Sequence, residues 1–364
     1  MTDTSSGLSA PLRSASEPGR GEPDRRTDRP TDRSTASSRP VGDLGKLRRL
    51  QRISDSEGFI RVAAIDHPEN YLKLFDEDLS KVSDAEVVES KLELIASMSA
   101  EATAVLVDPV WSFGQGVLSA TIPPYVGIIS GLELLAYSPA GFGTETVVRP
   151  GWTVSKLARL GADAAKLVVF YRAELEEVSR TQRELVASLV TECAEHQLPL
   201  VVEPLWYPLE GESLDEPATR AARGDAIVTA AKTFADLGVD IMKVEFPGHV
   251  DSDEHRAAAA ERCAALDAAV DVPWVLLSAN ATYEQFREQV MIAASAGACG
   301  FMAGRAIWGD GVGRHDAERR AGGARTAAER LRELREVLRA NGRGWQQPVA
   351  VADTVEQFPA DWYA

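Results

Sequence analysis

The chain has 364 residues, with 39 Lys plus Arg against 55 Asp plus Glu, a formal charge of −16, 45% hydrophobic residues and three cysteines. That acidity speaks against a nucleic-acid partner, whose phosphates call for an excess of basic side chains. There is no uninterrupted apolar stretch of about 18 residues for a membrane span and no apolar secretory core near the start, and Cys193, Cys263 and Cys299 are too scattered for a disulfide framework or zinc ribbon. The expectation is a soluble, cytoplasmic protein with no membrane contact.

Residues 1–45 hold eight Ser, five Thr, five Pro, five Gly, seven Arg and seven acids, and no aromatic residue. Such a segment cannot bury enough apolar surface to offset the entropy of ordering it, so a disordered tail is expected there. Its charges cancel, which leaves the whole acidity on the rest of the chain.

From residue 59 short apolar runs alternate with amphipathic stretches. The runs are Phe59–Ile65, Thr103–Val107, Tyr125–Tyr137, Ala164–Phe170, Leu198–Leu205, Ile241–Phe246, Trp274–Ala279 and Cys299–Ala303. Helical spacing is expected over Asp84–Met98, Arg180–His196, Ala218–Leu237, Asp253–Ala269 and Tyr283–Ala296, with Gly161, Pro199, Gly238, Pro273 and Gly297 at the joints. Eight strand-and-helix units over about 250 residues fit an α/β fold, a closed (β/α)8 TIM barrel spanning residues 46–345. An open doubly wound sheet is the alternative, weakened because no G-x-G-x-x-G follows the first run. The Arg- and Glu-rich stretch Ala317–Ala340 reads as the solvated face of an outer helix. Residues 346–364 form a C-terminal extension. Association into a homo-oligomer is expected, as for many soluble enzymes.

Barrel active sites lie where strands end, so polar residues late in apolar runs carry the chemistry. The runs supply Asp66, Lys166, Glu203, Lys243 with Glu245, and Ser278. Only 8 of the 39 basic residues are lysines, and lysine, unlike arginine, can lose its proton. An ammonium inside a barrel must be paired or deprotonated. In one reading Lys243 and Lys166 pair with Glu203, Glu245 and Asp66 in an ion network that only fixes packing. In the other, one lysine becomes a neutral amine that attacks a ketone to form a Schiff base, with Glu203 moving protons. The scarcity of lysine favours the second.

The segments Ser278-Ala279-Asn280 and Ala303-Gly304-Arg305 fall after the seventh and eighth runs, where barrels often hold phosphate. Ser278 brings a hydroxyl, Gly304 close backbone approach and Arg305 a bidentate fork. Alternatively, Ser278 caps the next helix and Arg305 makes a surface salt bridge.

These pieces, Ala64-Ile65-Asp66, Gly161 to Lys166, Val202-Glu203-Pro204, Lys243-Val244-Glu245-Phe246-Pro247, Leu277-Ser278-Ala279 and Ala303 to Trp308, occur in order over residues 46–345. The chain resembles the class I tagatose-1,6-bisphosphate aldolases and their relatives the sulfofructosephosphate aldolases. The resemblance implies Lys243 as Schiff-base lysine, Glu203 as proton-transfer residue, Asp66 and Lys166 beside them, and Ser278 and Arg305 at the substrate phosphate. Ala279, Gly304 and Glu245 complete the expected substrate contacts.

The implied reaction is reversible retro-aldol cleavage of a small phosphorylated ketose to dihydroxyacetone phosphate and an aldehyde, with no cofactor and no metal. His67-Pro68-Glu69 stands where the family usually carries Gln-Arg after the aspartate, which argues against a second phosphate or sulfonate there. Asn280 replaces a common glycine. The competing readings are a metal-dependent lyase of the same fold, using His67, His249, Glu203 or Glu245, and a non-catalytic barrel that binds a sugar phosphate. No H-x-x-x-H spacing supports the first of these.

Overall fold

The computed structural model describes residues 43–134, 146–313, 317–346, 351–354 and 358. Eight parallel strands close into a barrel in sequence order. They are β1 (Ile60–Ala64), β2 (Ala104–Val107), β3 (Gly127–Gly131), β4 (Ala164–Phe170), β5 (Leu200–Leu205), β6 (Ile241–Val244), β7 (Trp274–Leu276) and β8 (Gly300–Ala303). Closure runs through β8 against β1, with Ile60 opposite Gly300 and Ala63 opposite Ala303. A Cβ on Gly300 would lie 1.8 Å from the Ile60 carbonyl oxygen, so only glycine lets the two strands approach at this seam.

The helices are α1 (Leu44–Arg52), α2 (Glu69–Leu72), α3 (Asp84–Met98), α4 (Phe113–Leu118), α5 (Val154–Leu160), α6 (Glu176–Glu195), α7 (Pro217–Ala235), α8 (Asp253–Ala269), α9 (Tyr283–Ala296), α10 (Arg305–Trp308), α11 (Ala317–Asn341) and α12 (Val351–Thr354). The TIM barrel expected from the alternating pattern is the fold observed. Among the described residues, no helix is long and apolar enough to cross a membrane.

Three boundaries depart from the expectation. The expected tail reaches residue 45, but α1 already begins at Leu44; residues 1–42 lie outside the described residues. The run Tyr125–Tyr137 yields a strand of five residues, followed by an antiparallel bridge between Glu133 and Val148. Positions 135–137 of that run lie outside the described residues, as does most of the 346–364 extension. The helix α11 is more than a solvated face: Leu331, Leu334 and Leu338 are buried, and Arg330 donates to the Ile307 carbonyl at 2.8 Å.

Alternation along the strands sorts the core into two parts. Residues such as Ile60, Val62, Ala64, Leu106, Val201 and Ile241 fill the barrel interior, while their neighbours in sequence pack outward under the helices. Helix α1 closes the N-terminal end of the barrel. Leu50 and Ile53 enter the interior cluster with no exposed surface, Lys46 pairs with Asp240 at 2.8 Å, and Arg52 pairs with Asp163 at 2.7 Å. Asp163 and Asp240 each immediately precede the strand they anchor. The opposite end of the barrel is thereby left as the place where polar side chains meet.

Candidate active site

The inward parity of four strands carries polar residues onto the apolar interior layer. Ala64 is followed by Asp66, Ala164 by Lys166, Val201 by Glu203 and Ile241 by Lys243, each two residues on and therefore on the same face. All four converge. Lys166 Nζ lies 3.0 Å from Asp66, 2.7 Å from Glu133 and 3.1 Å from Glu203. Among the described residues, Lys243 Nζ has one carboxylate partner, Glu203 Oε2, at 2.9 Å. Four of the six residues predicted from strand ends therefore form one cluster.

Burial disfavours a charge on Lys166, but Asp66, Glu133 and Glu203 more than offset this and hold its ammonium well above the usual lysine value. Burial likewise opposes ionisation of Asp66, yet Lys166, His67 and Lys243 pull its carboxyl below the ordinary range. Glu203 is also depressed, with burial outweighed by Lys166 and Lys243. The centre thus holds the depressed carboxyls of Asp66 and Glu203 beside a firmly protonated Lys166.

The cluster forms the floor of a cavity of about 430 Å³. One side is built by the loops after β7 and β8. The Ser278 hydroxyl accepts a long hydrogen bond from the Gly304 N–H at 3.4 Å, tying the two loops together. Ser278 is not a helix cap, since α9 is capped by Thr282 in a reciprocal box with Gln285. Nor is Arg305 a surface salt bridge: it lines the cavity, and among the described residues its buried Nε has no hydrogen-bond partner. Ala279 adopts φ +44°, an unusual conformation for a residue with a side chain, on the same wall. A Cβ on Gly304 would lie 2.6 Å from His67 Cε1 and 2.8 Å from the Ala64 carbonyl oxygen.

Glu245 also lines the cavity, with both oxygens engaged: Arg223 donates to one at 2.7 Å and the Trp206 N–H to the other at 3.0 Å. It thus sets the position of Trp206 on the cavity wall. Beyond Asp66 the wall is His67, Pro68, Glu69, Asn70 and Lys73. The loop that reads as acidic at Glu69 carries a cation one turn later, so this side of the mouth presents both signs.

Sequence reasoning missed Glu133 and Lys91, and weighed His67 only as a metal ligand or a departure from the family pattern. Glu133, the third partner of Lys166, has inward parity with Ile129 but sits past the end of β3. His67 stands in the cavity wall, edge-on to Trp308 with ring centroids 5.4 Å apart. Burial lowers its pKa to about 4; Asp66 opposes this, while Lys243, Arg305 and Lys166 reinforce it. Lys91, on α3, is wholly buried and reaches the end of β1, where it donates to the Ile65 carbonyl at 2.9 Å, the His67 carbonyl at 3.1 Å and Asp108 at 2.6 Å. Burial depresses its ammonium and Asp108 opposes that effect.

Among the described residues, no group of three or more His, Cys, Asp or Glu is placed to hold a metal ion. The two histidines considered as ligands lie apart, His67 in the main cavity and His249 in a neighbouring pocket of about 230 Å³.

Comparison with known proteins shows the family and the fold. The family described as DeoC/LacD family aldolase matches residues 62–310. Tagatose 1,6-diphosphate aldolase 2 of Enterococcus faecalis is 27% identical over 335 residues, covering 84% of this chain and 97% of that protein. Tagatose 1,6-diphosphate aldolase of Streptococcus pneumoniae is 25% identical over 328 residues, covering 84% and 98%. Among solved structures, an archaeal fructose 1,6-bisphosphate aldolase shares the fold with a TM-score of 0.55 at 21% identity, over 81% of this chain and 99% of that one. A Schiff base forming fructose-1,6-bisphosphate aldolase aligns with a TM-score of 0.54 at 20% identity, over 80% and 99%.

Proposed function

The chain belongs to the DeoC/LacD aldolase family, and from that premise we propose that it cleaves a ketose phosphate through a Schiff base on Lys243, releasing dihydroxyacetone phosphate and an aldehyde. The observation that carries this reading is the unequal partnering of the two lysines. Among the described residues, Lys166 is surrounded by three carboxylates, whereas Lys243 touches one, Glu203, at 2.9 Å. A lysine kept protonated cannot attack a carbonyl; the lysine with a single acid–base partner is the nucleophile.

The Lys243 amine adds to the substrate ketone, and the carbinolamine loses water to give an iminium. The carbon–carbon bond two atoms away then breaks. Its electron pair moves into the iminium as an enamine, while the hydroxyl proton on the departing carbon is taken by a base and the aldehyde leaves. Protonation of the enamine at carbon, then hydrolysis, releases the three-carbon ketone and restores the amine. Glu203, within hydrogen-bond reach of Lys243, moves protons at the nitrogen. Lys166 and Asp66 hold charge and orientation around it. Ser278, Ala279, Gly304 and Arg305 take the phosphate, and Arg305 has no carboxylate partner among the described residues to compete for it. Relatives named as tagatose 1,6-diphosphate aldolases support a sugar phosphate as substrate. The residues His67-Pro68-Glu69 favour a far end without a second phosphate at that loop.

Incubation with dihydroxyacetone phosphate and borohydride, followed by peptide mass spectrometry, tests the mechanism. The expected result is a reduced adduct on Lys243. An adduct on another lysine, or none from a substrate that is turned over, overturns the assignment. Assaying ketose monophosphates beside bisphosphates for release of dihydroxyacetone phosphate then identifies the substrate.

A further inference from the structure

We propose that Lys91 is a positioning residue of the active centre, which brackets Asp66 by holding the backbone carbonyl on either side of it. This deepens the proposed reaction and rests on the role given there to Asp66. Lys91 projects from α3, outside the barrel, yet its side chain has no exposed surface. Its Nζ donates to the Ile65 carbonyl at 2.9 Å and the His67 carbonyl at 3.1 Å. The peptide units preceding Asp66 and following His67 are thereby fixed to one nitrogen. The two side chains between those anchors, Asp66 and His67, both line the cavity.

The anchor is itself held from the second strand. Asp108, just past the end of β2, accepts from Lys91 at 2.6 Å and from the Ser112 hydroxyl at 2.7 Å through one oxygen. Through the other it accepts the N–H groups of Val110 at 2.8 Å and Trp111 at 2.7 Å. The rings of Tyr71 and Trp111, with centroids 4.9 and 5.4 Å from Nζ, enclose the ammonium. A buried charge so fully satisfied costs more to place than an apolar side chain of the same size. Packing alone does not account for it. What it provides is a two-point fix on the strand end that carries Asp66, tied to the second strand through Asp108, and Asp66 in turn lies 3.0 Å from Lys166 in the central cluster.

A purely structural ion pair would show the same loss of stability on mutation, so the test separates the two roles. Lys91→Met keeps the aliphatic volume but strands the Asp108 charge. Adding Asp108→Asn removes that charge while keeping an oxygen for the Val110 and Trp111 N–H groups. The double variant is therefore expected to melt well above the single one, near the wild type. Its kcat for ketose phosphate cleavage should stay about 10²-fold down, the order expected for a small misplacement of a catalytic group, with KM little changed. Return of kcat together with melting temperature in the double variant overturns the proposal, as does an unimpaired kcat in Lys91→Met. If the single variant does not fold, the double variant alone decides. Borohydride trapping on the wild-type enzyme tests the Schiff base independently, so failure of that reading is distinguishable from failure of this one.

Discussion

Lys166 and Lys243 meet at a single oxygen: Glu203 Oε2 lies 3.1 Å from the first nitrogen and 2.9 Å from the second. One carboxylate oxygen thus serves a lysine that stays charged and the lysine proposed as the nucleophile. Burial alone would raise the Glu203 pKa; the charges of Lys166 and Lys243, with the hydrogen bond from Lys243, depress it. Lys166→Met removes the first of these charges, so Glu203 should take up its proton at higher pH. The acid limb of the kcat/KM profile is expected to move upward in pH in this variant. A limb that stays in place, or moves down, rules out Glu203 as the group titrating there.

The floor of the barrel and its mouth should be separable. Leu50 of α1 fills the N-terminal end of the interior with no exposed surface, far along the strands from Lys243. Leu50→Ala is expected to cost about 2–5 kcal/mol of stability, the usual range for a buried leucine truncation, while kcat of the folded enzyme at low temperature stays near wild type. Denaturant unfolding and a cold assay on one preparation check both. A kcat that falls with stability would mean the floor controls the site.

How much of this was legible in the sequence follows from which contacts are local. Helices α3, α8 and α9 begin and end where the pattern placed them because their caps are written next to them: Ser83 with Glu86, Ser252, and Thr282 with Gln285. Asp66, Lys166, Glu203 and Lys243 were readable because each breaks an apolar run. Lys91 breaks nothing. It stands between Glu89 and Glu93 in a helix of mixed charge, and only the packing of α3 on the barrel turns it inward. Glu133 was lost in an apolar run longer than its strand, and helix α1 was hidden by the polar segment before it.

His67 offers a spectroscopic test of the site. Its folded pKa of about 4, below the usual value of 6.5, means a neutral ring through the neutral range. The sign of the linkage follows: the unfolded chain binds the proton more readily, so this group contributes stability above about pH 6.5 that is lost as pH falls toward 4. Burial leads the shift, and Arg305 is among the cations that add to it. Inorganic phosphate bound at Arg305 should therefore raise the His67 pKa, and Arg305→Met should raise it too and abolish the phosphate effect. NMR of ring-labelled histidine, assigned with His67→Gln, reads all three states. A His67 signal that titrates near 6.5 and ignores phosphate would place the anion elsewhere.

The loop after β8 has no room for a side chain at Gly304. A Cβ there meets His67 Cε1 at 2.6 Å and the Ala64 carbonyl oxygen at 2.8 Å. The ring could turn away, but the carbonyl cannot yield cheaply, because it ends β1 and also accepts the Trp308 indole N–H at 3.0 Å. In Gly304→Ala the loop itself should move off the strand, taking the Gly304 N–H from Ser278 and carrying Arg305 with it. Overpacking of this kind costs about 1–3 kcal/mol, so the variant should fold. Its defect should be selective: borohydride trapping of wild-type enzyme is expected to favour dihydroxyacetone phosphate strongly over dihydroxyacetone, and Gly304→Ala should lose most of that preference while still trapping the uncharged ketone on Lys243. Arg305→Met should do the same without the steric cause. If Gly304→Ala traps neither ketone, the loop supports the nucleophile rather than the phosphate; if it keeps the preference, the phosphate is held by other residues.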